Sequence, residues 1–186
     1  MSGGETGDLS AGSDRPADVT EAEAWYADGL GFSCTQCGNC CTGPPGAVWF
    51  DDDEGRAMAE GLGLDERAFY AQYAHRVGRR WSLNERRHQT ADGDTLHDCV
   101  FLDRQAKGGA TCSIYATRPT QCRTWPFWPE MLRSPEAWES SRDATPCPGM
   151  GRGERVPLVR IRVVRDEQAV ADQRIAEGHP GPARRS

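Results

Sequence analysis

Apolar positions along this chain come in short bursts separated by turns, not in long runs. After a Gly-Pro-Pro-Gly turn, "AVWF" is a four-residue apolar burst bounded by acids and reads as a short strand. "DDDEGRAMAEGLGL" reads as a helix: Asp51 or Asp52 caps it, its first-turn acids suit the positive end of the helix dipole, and Gly61 and Gly63 end it. Asp65 caps a second helix, "ERAFYAQYAHRVG", with Phe69, Tyr73 and Val77 on one face. Upstream, "EAEAWYADGL" predicts a short helix that packs Trp25 and Tyr26.

From Trp81 the period changes. "WSLNERRHQ", "TADGDT" and "LHDCVFLD" predict a hairpin with an Asp-Gly turn, and "TCSIY" a further short strand after the turn "RQAKGGA". "TRPTQC" opens a helix with Pro119 in its first turn, and "SPEAW" opens another with Ser134 as N-cap and Pro135 at the first helical position. "TPCPGMGRG" reads as a rigid loop. "LVRIRVV" alternates like a strand but runs into the helix former "DEQAVADQRIAEG", so a helix from near Leu158 is expected.

These elements predict an α+β fold in which short helices and a small antiparallel sheet make a small, cysteine-rich, metal-stapled domain. Residues 1–20 read as a disordered Gly/Ser/Asp-rich tail, 21–155 as the cysteine-bearing metal-binding domain, and 156–186 as a C-terminal helix (or strand) and tail.

Composition explains the need for a staple. Only 37% of residues are hydrophobic, while Gly (21) and Pro (12) are abundant. So lean a core is usually reinforced by disulfides or metal. The start of the chain has no basic segment followed by an apolar run, and no stretch approaches the length of a membrane span. The expected compartment is therefore the cytoplasm, where thiols stay reduced and clustered cysteines favour metal. Net charge is −6, and the basic residues are 21 Arg and Lys107, scattered and not striped. Nucleic acid and membrane are not expected partners, and the place of an unknown protein partner is left open.

The chemistry lies in eight cysteines. Cys34, Cys37 and Cys40 follow the two-residue spacing of metal knuckles, with Cys41 adjacent and Gly38 free to take positive φ. Side chains of neighbouring residues diverge in an extended segment, so one of Cys40 and Cys41 is expected to face a different site or to bridge. Cys99, Cys112, Cys122 and Cys147 sit in four separate contexts. Eight thiols allow two four-thiolate sites, or one cluster with spare thiols. Arg118 and Arg123 flank Cys122 and are placed to offset thiolate charge. "TWPFWP" offers Trp125, Phe127 and Trp128 as an apolar lid. His97, two residues before Cys99, is more commonly a surface strand residue than a ligand, and His75, His88 and His179 show no ligand spacing.

"FSCTQCGNCC", "CVFLD", "CSIYATRPTQCRTWPFWP" and "CPGMGRG" together resemble the bacterial CxxCxxCC cysteine-cluster family, over roughly Gly31 to Gly153. That family is described as a zinc- or iron-chelating domain. Some of its members are labelled iron–sulfur proteins, and a related domain is associated with flagellin lysine methylases. The resemblance implies metal binding through Cys34, Cys37, Cys40, Cys41, Cys99, Cys112, Cys122 and Cys147. It implies no particular reaction, and it does not extend past Gly153.

Two roles follow from the residues. One is an iron or iron–sulfur protein acting as electron carrier, maturation factor or sensor, favoured by the loop spacing. The other is a structural zinc module that binds another protein. A redox or accessory enzyme component is a weaker third. The chain has no nucleotide loop, GxSxG or HExxH, and an unligated Cys41 would be its best redox-active thiol.

Overall fold

The computed structural model describes residues 24–105 and 109–178. The tail expected at residues 1–20, the terminal "HPGPARRS" and the middle of "RQAKGGA" lie outside the described residues. The fold is mixed α+β, with five α-helices and several small antiparallel sheets instead of one.

In chain order the strands are β1 (Leu30–Phe32), β2 (Thr42–Gly43), β3 (Trp49–Phe50), β4 (Ala74–Val77), β5 (Arg80–Leu83), β6 (Glu85–Gln89), β7 (Thr95–Cys99), β8 (Leu102–Asp103), β9 (Thr111–Cys112) and β10 (Met150–Val156). The helices are α1 (Asp52–Gly61), α2 (Glu66–Tyr73), α3 (Thr120–Thr124), α4 (Pro135–Ala144) and α5 (Leu158–Glu177). Two three-stranded sheets have the orders β2-β7-β6 and β3-β5-β4. β1 pairs with β10, and β8 with β9.

The local signals that formed as read are those with side-chain chemistry at their ends. Asp51 caps α1 in a full capping box: Glu54 N donates to Asp51 Oδ1 (2.9 Å) and Asp51 N donates to Glu54 Oε2 (3.2 Å). Asp65 caps α2 by accepting from Ala68 N, and Ser134 caps α4 by accepting from Ala137 N, with Pro135 in first position. The Asp92-Gly93 turn joins β6 to β7, with Gly93 at φ +91°. α5 begins at Leu158 as expected and buries Ile161, Val164, Gln168, Ala171 and Ile175.

Four expectations change. Residues around Trp25 and Tyr26 form a turn, not a helix: Gly29 N returns to Tyr26 O (2.8 Å) at φ +81°. Both aromatics still pack, edge to face at 5.4 Å. The second helix ends at Tyr73, because Ala74–Val77 is drawn into the ladder with β5, from Ala74↔Leu83 to Val77↔Arg80. Val77 is thus an exposed strand residue, not part of a helix face. The long strand expected from Trp81 breaks at Asn84, whose backbone N–H and side-chain amide donate to the Tyr73 and Gln72 carbonyls. Its two halves consequently serve different sheets. "TPCPGMGRG" also becomes strand from Met150 onward.

The core has two apolar clusters. One gathers Phe50, Met58, Phe69, Leu83, Phe101 and Ile114 beneath α1 and α2. The other gathers Tyr26, Phe127, Leu132, Trp138, Met150 and Ile161 around α4 and α5.

One ion pair ties β2 and β7 to the loop after β8. Asp98 is buried and accepts two bonds from Arg104 (2.7 Å each) and one from Thr42 Oγ1 (2.6 Å). The Arg104 hydrogen bonds hold its carboxyl below the usual value of 3.8, at about 2, against the opposing effect of burial. A carboxylate depressed in the folded state stabilises fully above its unfolded pKa, and the gain is lost as pH falls through the folded one. Discounting for the partial exposure of Arg104, Asp98→Asn should cost about 1–2 kcal/mol near pH 7. The gap between variant and wild type in urea unfolding should close between about pH 4 and pH 2. A gap that stays constant down to pH 2 would exclude the ion pair as its source.

Candidate metal centre

All eight cysteines line one cavity of about 330 Å³, and all are free thiols. Separate elements bring them there. Cys34 and Cys37 lie on the loop after β1. Cys40 and Cys41 occupy a single 3-10 turn, Asn39–Cys41. Cys99 ends β7, Cys112 ends β9, Cys122 sits in α3, and Cys147 lies on the loop between α4 and β10.

The knuckle loop depends on two left-handed residues, Gln36 (φ 54°) and Gly38 (φ 77°), one on each side of Cys37. Gly38 is required twice over. Its conformation is costly for an L side chain. A Cβ there would also stand 2.7 Å from Ala110 Cβ and 3.1 Å from Leu102 Cδ1, so the loop rests directly on the β8–β9 hairpin. On the other side, Asn39 Nδ2 donates to Pro146 O (2.5 Å) and Ser33 N donates to Gly149 O (3.3 Å). Those two bonds fasten the knuckle to the Cys147 loop.

The adjacent thiols do not diverge as an extended backbone would make them. The 3-10 turn leaves Cys40 Sγ and Cys41 Sγ 3.8 Å apart. With Zn–S near 2.3 Å, the sulfur–sulfur edge of a tetrahedral four-thiolate site is also about 3.8 Å.

Burial and crowding set the electrostatics. The Cys122 thiol is pushed up first by desolvation, then by Cys99, Cys40 and Cys112. Cys112 is pushed up by desolvation and Cys40, and desolvation also raises Cys99, to about 11. Cys40 is raised by its hydrogen bond with Cys41 and by burial. Arg118 opposes this at Cys40, Cys112 and Cys122, as expected of it, while its guanidinium stacks 3.6 Å from the Tyr115 ring.

Arg123 does not join Arg118. It donates to Arg118 O (2.6 Å), Thr120 Oγ1 (2.8 Å) and Glu167 (3.2 Å), because it lies on the α5 side of α3. Sequence reasoning missed Arg104, whose guanidinium is within electrostatic reach of Cys41. It lies five residues past Cys99, beyond the strand that carries that cysteine, and no spacing marks it.

The aromatic lid is two-thirds as expected. Trp125 and Trp128 line the cavity, edge to face at 5.0 Å, whereas Phe127 turns into the second core cluster. Trp125 Nε1 is buried with no hydrogen-bond partner in the protein. His97 does not line the cavity, and His75 Nδ1 sits 3.0 Å from Asn84 Oδ1.

Among the described residues, no three His, Cys, Asp or Glu side chains already stand in an ion-holding arrangement. The thiols share the cavity without standing in such a group. The donor set fits a thiophilic metal: only sulfur ligands, an arginine near them, an apolar wall and a spare indole N–H.

A family model named for the CxxCxxCC signature, described as a zinc- or iron-chelating domain, matches residues 33–148, more than half of the chain. No solved structure matches it. No helix among the described residues is long and apolar enough to cross a membrane.

Two outcomes follow. In the reduced, metal-free chain at neutral pH, iodoacetamide should modify exposed Cys34 well before Cys99 and Cys122, and the Cys99 rate should keep climbing toward about pH 11. Peptide mapping over time reads this, and equal rates at the three sites would contradict the burial gradient. Gly38→Ala should destabilise the reduced chain by at least about 1–2 kcal/mol in urea unfolding, and an unchanged midpoint would mean that the loop does not need its left-handed turn.

Proposed function

Because this chain belongs to the CxxCxxCC family, whose description is a zinc- or iron-chelating domain, we propose that it is a cytoplasmic protein that holds metal through Cys34, Cys37, Cys40, Cys41, Cys99, Cys112, Cys122 and Cys147. The observation carrying this reading is that eight thiols from six segments line one apolar cavity with no histidine or carboxylate among its lining residues. A reduced chain gains nothing by gathering thiols of which Cys40, Cys99, Cys112 and Cys122 resist ionisation there, unless a cation takes the place of their protons.

Iron, bare or as an iron–sulfur centre, is the leading metal. The Cys34-x2-Cys37-x2-Cys40 spacing matches cluster-binding loops. The cavity also has room beyond that of a bare ion, and Trp125 and Trp128 shield it. When bound, such a centre supplies one-electron chemistry or cluster transfer. The chain's own part is to hold the sulfurs, keep water away through its aromatic wall and offset charge with Arg118. A second reading, a structural zinc module that docks another protein, is favoured by the 3.8 Å Cys40–Cys41 separation, which fits one edge of a tetrahedral thiolate site. Neither reading assigns a reaction to the chain. Both leave room for a protein partner at the exposed Cys34 and Cys40 rim.

Anaerobic purification, followed by metal analysis, acid-labile sulfide and a visible spectrum on one sample, tests the proposal. Iron with sulfide and broad visible absorbance is the expected result. Zinc with no colour selects the second reading. A reduced chain that takes up neither metal would overturn both.

A further inference from the structure

α5 is apolar on two opposite faces. Its inner face buries Ile161, Val164, Ala171 and Ile175. Its outer face carries Val159, Val163 and Val170, which stand 68%, 52% and 55% exposed. At 3.6 residues per turn, these three fall within about 40° of one another around the helix axis. Ala169 and Ala176 extend the same side and are exposed too. A lone surface valine is ordinary, but an aligned stripe of them marks a contact surface. β-Branched residues on a solvated helix lose side-chain freedom and gain no packing in return. The contacts by which α5 holds α3 and α1 come from other residues, Glu167, Gln168 and Arg174.

Charge divides along the helix as well. Residues 158–165 hold Arg160, Arg162 and Arg165 and no acid. Residues 166–177 hold Asp166, Glu167, Asp172 and Glu177 against Arg174 alone. A helix with a basic first half and an acidic second half complements a copy of itself running the other way. A copy running the same way would set like charge against like. Opposed helix dipoles favour the same antiparallel arrangement.

We propose that the outer face of α5 is the contact surface of a homodimer, in which two copies of the chain pack α5 antiparallel across a two-fold axis. With the axis crossing just past Val163, Val159 meets Val170 of the second copy. Arg160 then lies beside Glu167 of the second copy, twice by symmetry. Both of those side chains are exposed in the single chain. Asp166 falls in the middle of the face, but not as a bare charge, because Arg165 holds it at 2.7 Å. Glu167 takes Arg123 through Oε1 (3.2 Å), and a carboxylate accepts more than one bond. One face of a 20-residue helix is about 30 Å long, at the low end of specific interfaces, so the dimer is weak and concentration-dependent. None of these residues lines the thiol cavity, and the dimer does not depend on the metal reading.

Sedimentation equilibrium of the full chain tests this, under reducing conditions so that no cysteine links two copies. The mass should rise from one chain toward two between about 10 µM and about 1 mM protein. Added salt should push it back, because charge pairs between exposed side chains are screened. V163E/V170E should stay monomeric throughout. R160E should weaken association about three- to tenfold, and R160E/E167R, which exchanges the two charges, should recover it. Far-UV circular dichroism checks that each variant is folded. Should the exchange unseat α3 through Arg123, the salt dependence and V163E/V170E still decide. A monomer at every concentration overturns the proposal. So does a dimer that V163E/V170E leaves intact, or one that salt does not weaken. A dimer lost in R160E and not recovered in a folded R160E/E167R overturns the antiparallel arrangement.

Discussion

Everything in this molecule answers to the cost of gathering sulfur in an apolar space. A thiolate in low dielectric is disfavoured, and each neighbouring thiolate disfavours it further. Both effects are visible at Cys122, raised by burial and then by Cys99, Cys40 and Cys112. Protonated, such a cluster packs as small hydrophobes beside Leu83, Phe101 and Ile114. Ionised, it requires a cation at its centre. The same apolar wall thus serves both states, and a metal ion exchanges for protons without rebuilding the core. Arg118 moderates the charge from one side but cannot replace an ion, because it touches the set at its edge and is itself held over Tyr115.

Holding sulfurs from six segments together is a problem of backbone placement, and the solutions are local and specific. Gly38 lets the knuckle lie flat on Ala110 and Leu102. Asn39 reaches the Cys147 loop, and Gln121 spans from α3 to β3 by accepting from Trp49 N (2.7 Å) and donating to Ala47 O (3.1 Å). The Asp98–Arg104–Thr42 network fixes the strand that follows Cys41 against the strand that ends in Cys99. In register, Thr42 faces Asp98, so this polar knot sits one residue from a cysteine on each strand. Fixing Thr42 and Asp98 therefore fixes where Cys41 and Cys99 enter the cavity.

What could be read from the chain alone was what local chemistry determines. The capping box at Asp51 and Glu54, the caps at Asp65 and Ser134, the Asp-Gly turn and the positive φ at Gly38 are each decided within a few residues. The eight cysteines were legible as a set because no other residue type recurs in such spacing. What escaped is decided at a distance. Ala74–Val77 continues a good helical pattern, but pairing with β5 captures it. Arg123 sits beside Cys122 in sequence and faces away from it, because a short helix presents successive residues to different neighbours, and Phe127, past the end of α3, turns into the second core. The Cys40–Cys41 pair was read on an extended backbone, and a 3-10 turn changes which way two adjacent side chains point. Arg104 carried no local signal at all.

The helix beyond the matched region belongs to the same problem. α3 carries Cys122 on five residues, far fewer than an isolated helix needs to persist in water. Its position has to come from packing, and α5 supplies it. Thr124 Oγ1 donates to Gln168 Oε1 at 2.5 Å with both groups buried, Arg123 reaches Glu167, and Arg174 reaches the Asp51 cap of α1. Ile161, fully buried, anchors the same helix in the second core. Residues 158–177 thus carry no ligand, yet they hold the backbone that delivers one. A buried hydrogen bond from Thr124, two residues along from Cys122, makes α5 a structural determinant of where that sulfur stands.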